Sequence, residues 1–281
     1  MAKIKTVNCK KYLVGKSSQF PAYRGKEYSR AIVGLVSKMT KESRAAFERA
    51  MEDGQDSAAT LDRIRFLNAE LLKKYGQVFE QELPIIAQSM IYGVNKSSKT
   101  ALAEGFLNKE DFAEDQKQAR IAAITLSPDF LTNDKMKPLF AAQVQQNVAL
   151  FKTIPAQYFQ DVEAAVINSI VDGRGFADLK GFFQQHSNGT KNYAHLRALD
   201  QTRKAYTQIN ITRVKAAGAT ELEWIHSGGG SHPDPRHVAL NGKIFPIDDP
   251  PVDFISRGKE VHSWCMRPNC RCTTAPVIRI G

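Results

Sequence analysis

The residues best suited to chemistry crowd into the last fifth of the chain. Between Trp224 and Val277 lie four of the six histidines and three of the four cysteines. Apart from His262 and Cys265, they sit in Trp224-Ile225-His226-Ser227-Gly228-Gly229-Gly230, in His232-Pro233-Asp234-Pro235-Arg236-His237 and in Pro268-Asn269-Cys270-Arg271-Cys272. Imidazole and thiol at short spacing is the donor chemistry of zinc, which takes four nitrogen or sulfur ligands in a tetrahedron, commonly as sequence-local pairs. His232 with His237, and Cys270 with Cys272, are the candidate pairs, and Asp234 is a further donor. Cys-x-Cys is a less common zinc spacing than Cys-x-x-Cys, and Pro233 and Pro235 stiffen the loop between the histidines. The structural reading is the stronger one: small cysteines pack on a strand, and the histidines hydrogen-bond within a glycine- and proline-rich loop.

Other chemistries fit less well. A metal-dependent nuclease would use His237 or His232 to activate water beside a phosphate-holding metal. It is the alternative functional reading, but no acidic cluster accompanies the histidines at ligand spacing, and Asp248-Asp249 run into Pro250-Pro251 as a loop. Cys265 and His262 are near neighbours, yet no residue to orient the histidine is evident for a cysteine protease. Gly228-Gly229-Gly230 lacks the Gly-Lys-Ser/Thr of a phosphate loop and reads as backbone freedom beside a turn. Arg197, Asp200 and Arg203 share one helical stripe, where Asp200 can pair with either arginine or cap a neighbouring strand.

The elements that must position these residues are mostly helical. Apolar residues at helical spacing mark a helix from Tyr28 to Met51, with Gly54 as its stop. A second helix, capped by Ser57, carries Leu61, Ile64, Leu67, Leu71 and Leu72 and ends before Gly76; Pro84 opens another apolar segment through Val94. The first 20 residues read as an extended arm, and 95–118 as a linker or surface hairpin. Ser127-Pro128 signals a turn or helix start, and Met136 to Phe151 form a stripe broken at Pro155. Phe159 to Ile170 form the next helix. Gly173, Gly175, Gly181 and Ser187-Asn188-Gly189 read as loops, and a long helix spans about Asn192 to Ala217, with Gly218 as its C-terminal signal.

Beyond Gly218 the period changes to that of strands. Leu222 and Trp224 alternate with Glu221 and Glu223, Asn241-Gly242 is a tight-turn signal, Lys243-Ile244-Phe245 leaves it as a strand, and Thr273 to Ile280 form a last strand. The expected fold class is α+β, mainly α-helical: a helical N-terminal region (1–120), a second helical region (121–218) and a small C-terminal α+β module (219–281) with short antiparallel strands.

Hydrophobic content of 42% and charged content of 24% in 281 residues suit a folded protein with a real core. The formal net charge of +10 favours nucleic acid or an acidic protein surface as a neighbour, and a free DNA-binding protein of the host is a further reading. Four cysteines, with Cys9 isolated, do not make a secreted disulfide framework, although Cys265 could pair with Cys270 or Cys272. The N-terminus is basic but lacks the apolar stretch of a signal peptide, and no run of apolar residues is long enough to span a membrane. These features point to a protein made in the cytoplasm.

One ordered set of residues carries a family resemblance. Leu199-Asp200-Gln201-Thr202-Arg203, Asn210, Glu223-Trp224, His237 with Leu240-Asn241-Gly242-Lys243-Ile244-Phe245, and Asn269-Cys270-Arg271-Cys272 together resemble the phage Mu F-like head morphogenesis family, minor head proteins of tailed bacteriophages. The likeness spans roughly residues 150–281. It implies a non-enzymatic virion component that is made in the host cytoplasm and enters the phage head in few copies. It further implies partners in the portal and other capsid or scaffold proteins, non-specific contact with packaged DNA through Lys and Arg, a role in head assembly, DNA packaging or ejection, and none of the toxin domains fused to some relatives. The structural residues it singles out are Asp200, Arg203, Trp224, His237, Asn241, Gly242, Cys270 and Cys272. In the resemblance, one style of the loop before the Asn-Gly turn places a Cys-x-x-Cys pair at Asp234 and His237 and a histidine at Arg267. This chain follows the other style, through Pro235 and His237, which leaves His237, Cys270 and Cys272 as a partial zinc set.

Overall fold

The computed structural model describes residues 3–7, 10–14, 20–52, 58–106, 136–172, 179–216, 219–229 and 232–280. Among them are two N-terminal strands, β1 (Lys3–Val7) and β2 (Lys10–Val14), followed by five long helices. These are α1 (Ala22–Glu52), α2 (Ala58–Phe106), α3 (Lys137–Phe151), α4 (Ile154–Val171) and α5 (Leu179–Ala216). The C-terminal part holds β3 (Glu221–Ile225), the short helix α6 (Pro235–Leu240), β4 (Ile244–Pro246), β5 (Val252–Ser256), β6 (Lys259–His262) and β7 (Thr273–Ile280). The fold is a mainly helical α+β one. Among the described residues, no helix is long and apolar enough to cross a membrane.

The chain divides into two compact units. One comprises Lys26–Met90 and Ala141–Leu199 and is wholly helical where described. Its helices form because apolar residues recur once per turn. On α1, Tyr28, Ile32, Val36, Met39 and Phe47 are all buried, and on α2 Leu71, Tyr75, Phe79 and Leu83 continue the same pattern. Phe47 stacks on Phe183 of α5 at 5.7 Å between centroids, and Tyr28 meets Phe151 edge-on at 6.0 Å. Buried polar groups find partners: Tyr28 donates to Asn147 Oδ1 at 3.0 Å, and Asn68 Nδ2 donates to the Phe159 carbonyl at 3.0 Å.

Two expected breaks are absent from this unit. The helix expected to end before Gly76 runs on through Gly76 and Pro84 as α2. A glycine within a helix costs about 1 kcal/mol, whereas burying one large apolar side chain returns about 1.5–3 kcal/mol, and Tyr75, Phe79 and Leu83 surround the break. Ser187-Asn188-Gly189, expected as a loop, lies inside α5, because Phe183, Ala194 and Ala198 keep a buried face on both sides of it. Gly181 is helical for the same reason. Residues 95–106, expected in a linker, also belong to α2. Residues 107–118, Gly54, Ser57, Ser127-Pro128, Gly173, Gly175, Gly218 and Gly230 lie outside the described residues.

The other unit comprises Met1–Gly25, Ile91–Phe140 and Asp200–Gly281. Its strands pair antiparallel in the order β1-β2-β7-β3-β4, so the first residues, expected as an extended arm, supply two strands. β7 sits centrally, with Trp224↔Thr274 and Glu223↔Ala275 on the β3 side and Val14↔Val277 on the β2 side. Pro276 faces Leu222 of β3 just before the β2 ladder begins at Val277, so its missing N–H falls outside that ladder. β5 and β6 form a separate hairpin with an irregularity between Val252 and Phe254. Val214 and Ile211 of α5, Leu222, Trp224, Ile247 and Trp264 pack into one core.

The helical unit makes its packing testable. Phe47→Ala should lower unfolding stability by about 3–5 kcal/mol, while Phe66→Ala, at a side chain 66% exposed, should change it by less than about 0.5 kcal/mol. Denaturant unfolding followed by circular dichroism measures both, and equal effects would contradict the placement of these helices.

A histidine–cysteine cluster as the candidate functional site

His237 arrives at the site by helix capping. Asp234 accepts the Arg236 amide at 2.9 Å, and Pro235 takes the first helical position, where its missing N–H is no loss. One turn of α6 then places His237 in the interior. The turn after the helix is built from Asn241 (φ −55°, ψ 125°) and Gly242 (φ +78°). That is a type II turn, in which only the glycine takes the left-handed conformation. It joins a helix to a strand, with Lys243 N–H bonded to the Leu240 carbonyl at 3.0 Å. Gly242 N–H then reaches the Trp224 carbonyl at 2.8 Å, and Asn241 Oδ1 accepts the His226 amide at 2.9 Å.

The two cysteines arrive by a second turn of the same type. Pro268 and Asn269 occupy its corner positions, Asn269 has φ +62°, and the Cys270 amide bonds the Arg267 carbonyl at 3.1 Å. Asn is among the few residues that enter the left-handed region readily. The turn is held by Asp200 on α5, whose Oδ1 accepts the Asn269 amide at 2.7 Å. The ion-pair partner of Asp200 is Lys204, at 2.7 Å, rather than Arg197 or Arg203. Arg203 instead lies over the ring of Phe20, 5.5 Å from its centroid. Burial and the neighbouring Arg271 lower its pKa.

Among the described residues, the group that can converge on one cation is His237, Cys270 and Cys272, whose donor atoms all lie within 4.8 Å of one another. His237 Nδ1 is 3.5 Å from Cys270 Sγ and 3.6 Å from Cys272 Sγ. His232, the other histidine of the expected set, is exposed and lies outside this group. Cys265 is buried against Cys270, with its backbone in the left-handed region at φ +58°. The proximity of Cys265 pushes the Cys270 thiol up to about 12, Cys270 and burial push Cys272 up, and burial pushes Cys265 up.

The far side of the imidazole is fixed by a residue that the spacing of motifs did not single out. His237 Nε2 lies 2.8 Å from the Asp253 backbone carbonyl and 2.9 Å from its carboxylate Oδ1. A carbonyl oxygen can only accept, so Nε2 carries the proton and Nδ1 turns its lone pair to the sulfurs. Asp253 is fully buried, and its Oδ2 accepts Ser263 Oγ at 2.7 Å, the Met266 amide at 2.5 Å and the Arg267 amide at 3.2 Å. The sequence shows no acidic cluster at ligand spacing from the histidines, and Asp253 reaches His237 through the fold instead. Sixteen residues of sequence separate Asp253 from His237, and the two meet through the packing of α6 on β5. The available signal was an acid between the apolar residues Val252 and Phe254.

Aromatic packing closes the site. Trp224 is fully buried, edge-on to His237 at 5.1 Å and stacked on Trp264 at 6.2 Å, and Trp264 Nε1 donates to the Ile247 carbonyl at 3.0 Å. Asp234 and Arg267 meet each other as an ion pair.

Since Asp253 holds three donors from the 263–267 segment and the imidazole, Asp253→Ala should cost about 3 kcal/mol, and Ser263→Ala about 1 kcal/mol. Guanidinium unfolding monitored by Trp224 and Trp264 fluorescence reads both changes. Comparable small losses would show that the carboxylate is not the hub.

The chain is 25% identical over 264 residues to an uncharacterized protein of Haemophilus influenzae, covering 89% of this chain and 52% of that relative, so it spans about half of the relative's length. No solved structure matches it. The family described as Phage Mu protein F like protein matches residues 160–275, a segment that contains α5 and every residue of the cluster and its supports. Residues 160–275 are thus similar to the phage Mu F-like family.

Proposed function

We propose that this protein is a minor head protein of a tailed bacteriophage, held in the head near the portal and serving head assembly and DNA packaging or ejection without catalysis. The family match over residues 160–275 carries this reading. Two further features support it. The residues that mark the family are taken up in holding the C-terminal module together: Asp200 on the Asn269 amide, Asn241 and Gly242 in a turn, and Trp224 in the core. The net charge of +10 suits a neighbour of packaged DNA, because contacts to phosphate need only Lys and Arg and read no sequence. Portal, capsid or scaffold proteins are the protein partners of this reading.

Quantitative mass spectrometry of purified full virions, and of the same particles after DNA release, tests it. The expected result is a few copies per full particle, and loss on emptying would mark a component that leaves with the DNA. Absence from full virions would overturn the assignment. In solution, the protein should bind duplex DNA without sequence preference, and log affinity should fall linearly with log salt. Cleavage of that DNA, abolished by His237→Ala, would favour a metal-dependent nuclease instead.

A further inference from the structure

We propose that His237 Nδ1, Cys270 Sγ and Cys272 Sγ form a zinc-binding site whose imidazole is aimed by Asp253. The proposal is independent of the head-protein reading and rests on four features of the site.

The first is distance. Zinc bonds of about 2.0–2.1 Å to nitrogen and about 2.3 Å to sulfur, in a tetrahedron, set N···S at about 3.6 Å and S···S at about 3.8 Å. The two N···S separations here are 3.5 and 3.6 Å, and the three donors share one 4.8 Å neighbourhood. The second is lone-pair count. Nδ1 has a single in-plane lone pair, which can accept one S–H, yet two sulfurs approach it equally closely. A cation between the three atoms satisfies all of them. The third is the outer contact of the imidazole: Nε2–H donates to the backbone carbonyl of Asp253, with the carboxylate Oδ1 2.9 Å away, the arrangement that fixes tautomer and ring orientation in metal-bound histidines. The fourth is the support of a sulfur. The Cys272 amide points at Cys270 Sγ at 3.4 Å, a backbone donor able to stabilise a metal-bound thiolate.

Two thiolates and an imidazole in tetrahedral array select zinc among the common divalent ions. On binding, Cys270 and Cys272 each release a proton, and zinc takes their sulfur lone pairs together with that of Nδ1. The fourth corner falls to water, since Cys265 lies outside the group of converging donors. The ion would join α6 to the entry of β7, two segments more than thirty residues apart in sequence.

The test uses the full chain, purified under reductant and freed of metal, with its thiols confirmed reduced. Titration with cobalt(II) should give the visible bands of tetrahedral cobalt and the near-ultraviolet charge transfer of cobalt–thiolate bonds. Both should saturate at one equivalent and be displaced by zinc. Protein prepared without chelator should contain one zinc per chain. Cys272→Ser should lose about half of the charge transfer and weaken binding at least tenfold, with the helical circular dichroism retained. Cys9→Ser should change neither. Absence of tetrahedral bands in the reduced wild type would sink the proposal whatever the variants do. So would bands that persist undiminished in the Cys270→Ser/Cys272→Ser double variant, because the metal would then sit elsewhere.

Discussion

The C-terminal module depends on one buried carboxylate. Asp253 has no contact with solvent, yet four donors from three parts of the chain converge on its side chain and carbonyl: Ser263 Oγ, the Met266 and Arg267 amides, and His237 Nε2. A lone buried carboxylate would be expensive to desolvate, so its burial is sustained only while those donors stay in place. The constraint therefore runs in both directions. The 263–267 segment must curl back toward β5, which places Cys265 and then the Pro268-Asn269 turn, and α6 must dock on β5, which places His237. The geometry of the sulfur–imidazole cluster follows from satisfying Asp253.

This dependence explains which parts of the molecule were legible in the sequence. Local signals were read correctly because their causes are local. Leu222 and Trp224 alternate in a strand, Asn241-Gly242 makes a turn, and Thr273–Ile280 is a strand, each determined by backbone preference within a few residues. Two assignments failed where tertiary burial outweighs a local signal. Gly76 and Gly189 do not end helices, because a glycine's cost is smaller than that of exposing the apolar stripe on either side. β1 and β2 showed no period of their own; they pair with each other, and β2 joins the sheet through β7, more than 260 residues away.

The site shows the same division. Cys270, Cys272 and His237 could be singled out as one chemical set by residue type and spacing, and they do come together. Asp253 could not, because its role depends on a docking contact that no spacing encodes. The ligand partner offered for the first loop, His232, lies outside the group, since Pro235 begins α6 and the helix turns only His237 inward. Asp234, the other candidate donor there, is occupied in two ways that sequence alone cannot distinguish from ligation: it caps α6 and pairs with Arg267. An ion pair at that rim joins the same two segments, 232–237 and 266–272, that the cluster joins beneath it.

The helix α5 belongs to the same physical system. Asp200 holds the Asn269 amide, Asn210 bonds Ser98 of α2, Arg213 bonds Asn95, and Ile211 and Val214 pack with Trp224 and Trp264. Arg213 is almost wholly buried, and burial lowers its pKa to about 10, so its side chain is held where a charge is costly and a polar partner is required. Residues 219–280 alone would leave both the Asn269 turn and the tryptophan core without their helical side. The family segment begins at residue 160, ahead of α5, and so includes the surface on which the sheet, the turn and the cluster are assembled. A module whose small core is completed by a helix from outside it gains from any bond that ties distant segments together. The Asp200–Asn269 hydrogen bond, the Asp234–Arg267 ion pair and the His237–Cys270–Cys272 cluster all act at the approach to β7, the strand on which both flanking ladders depend.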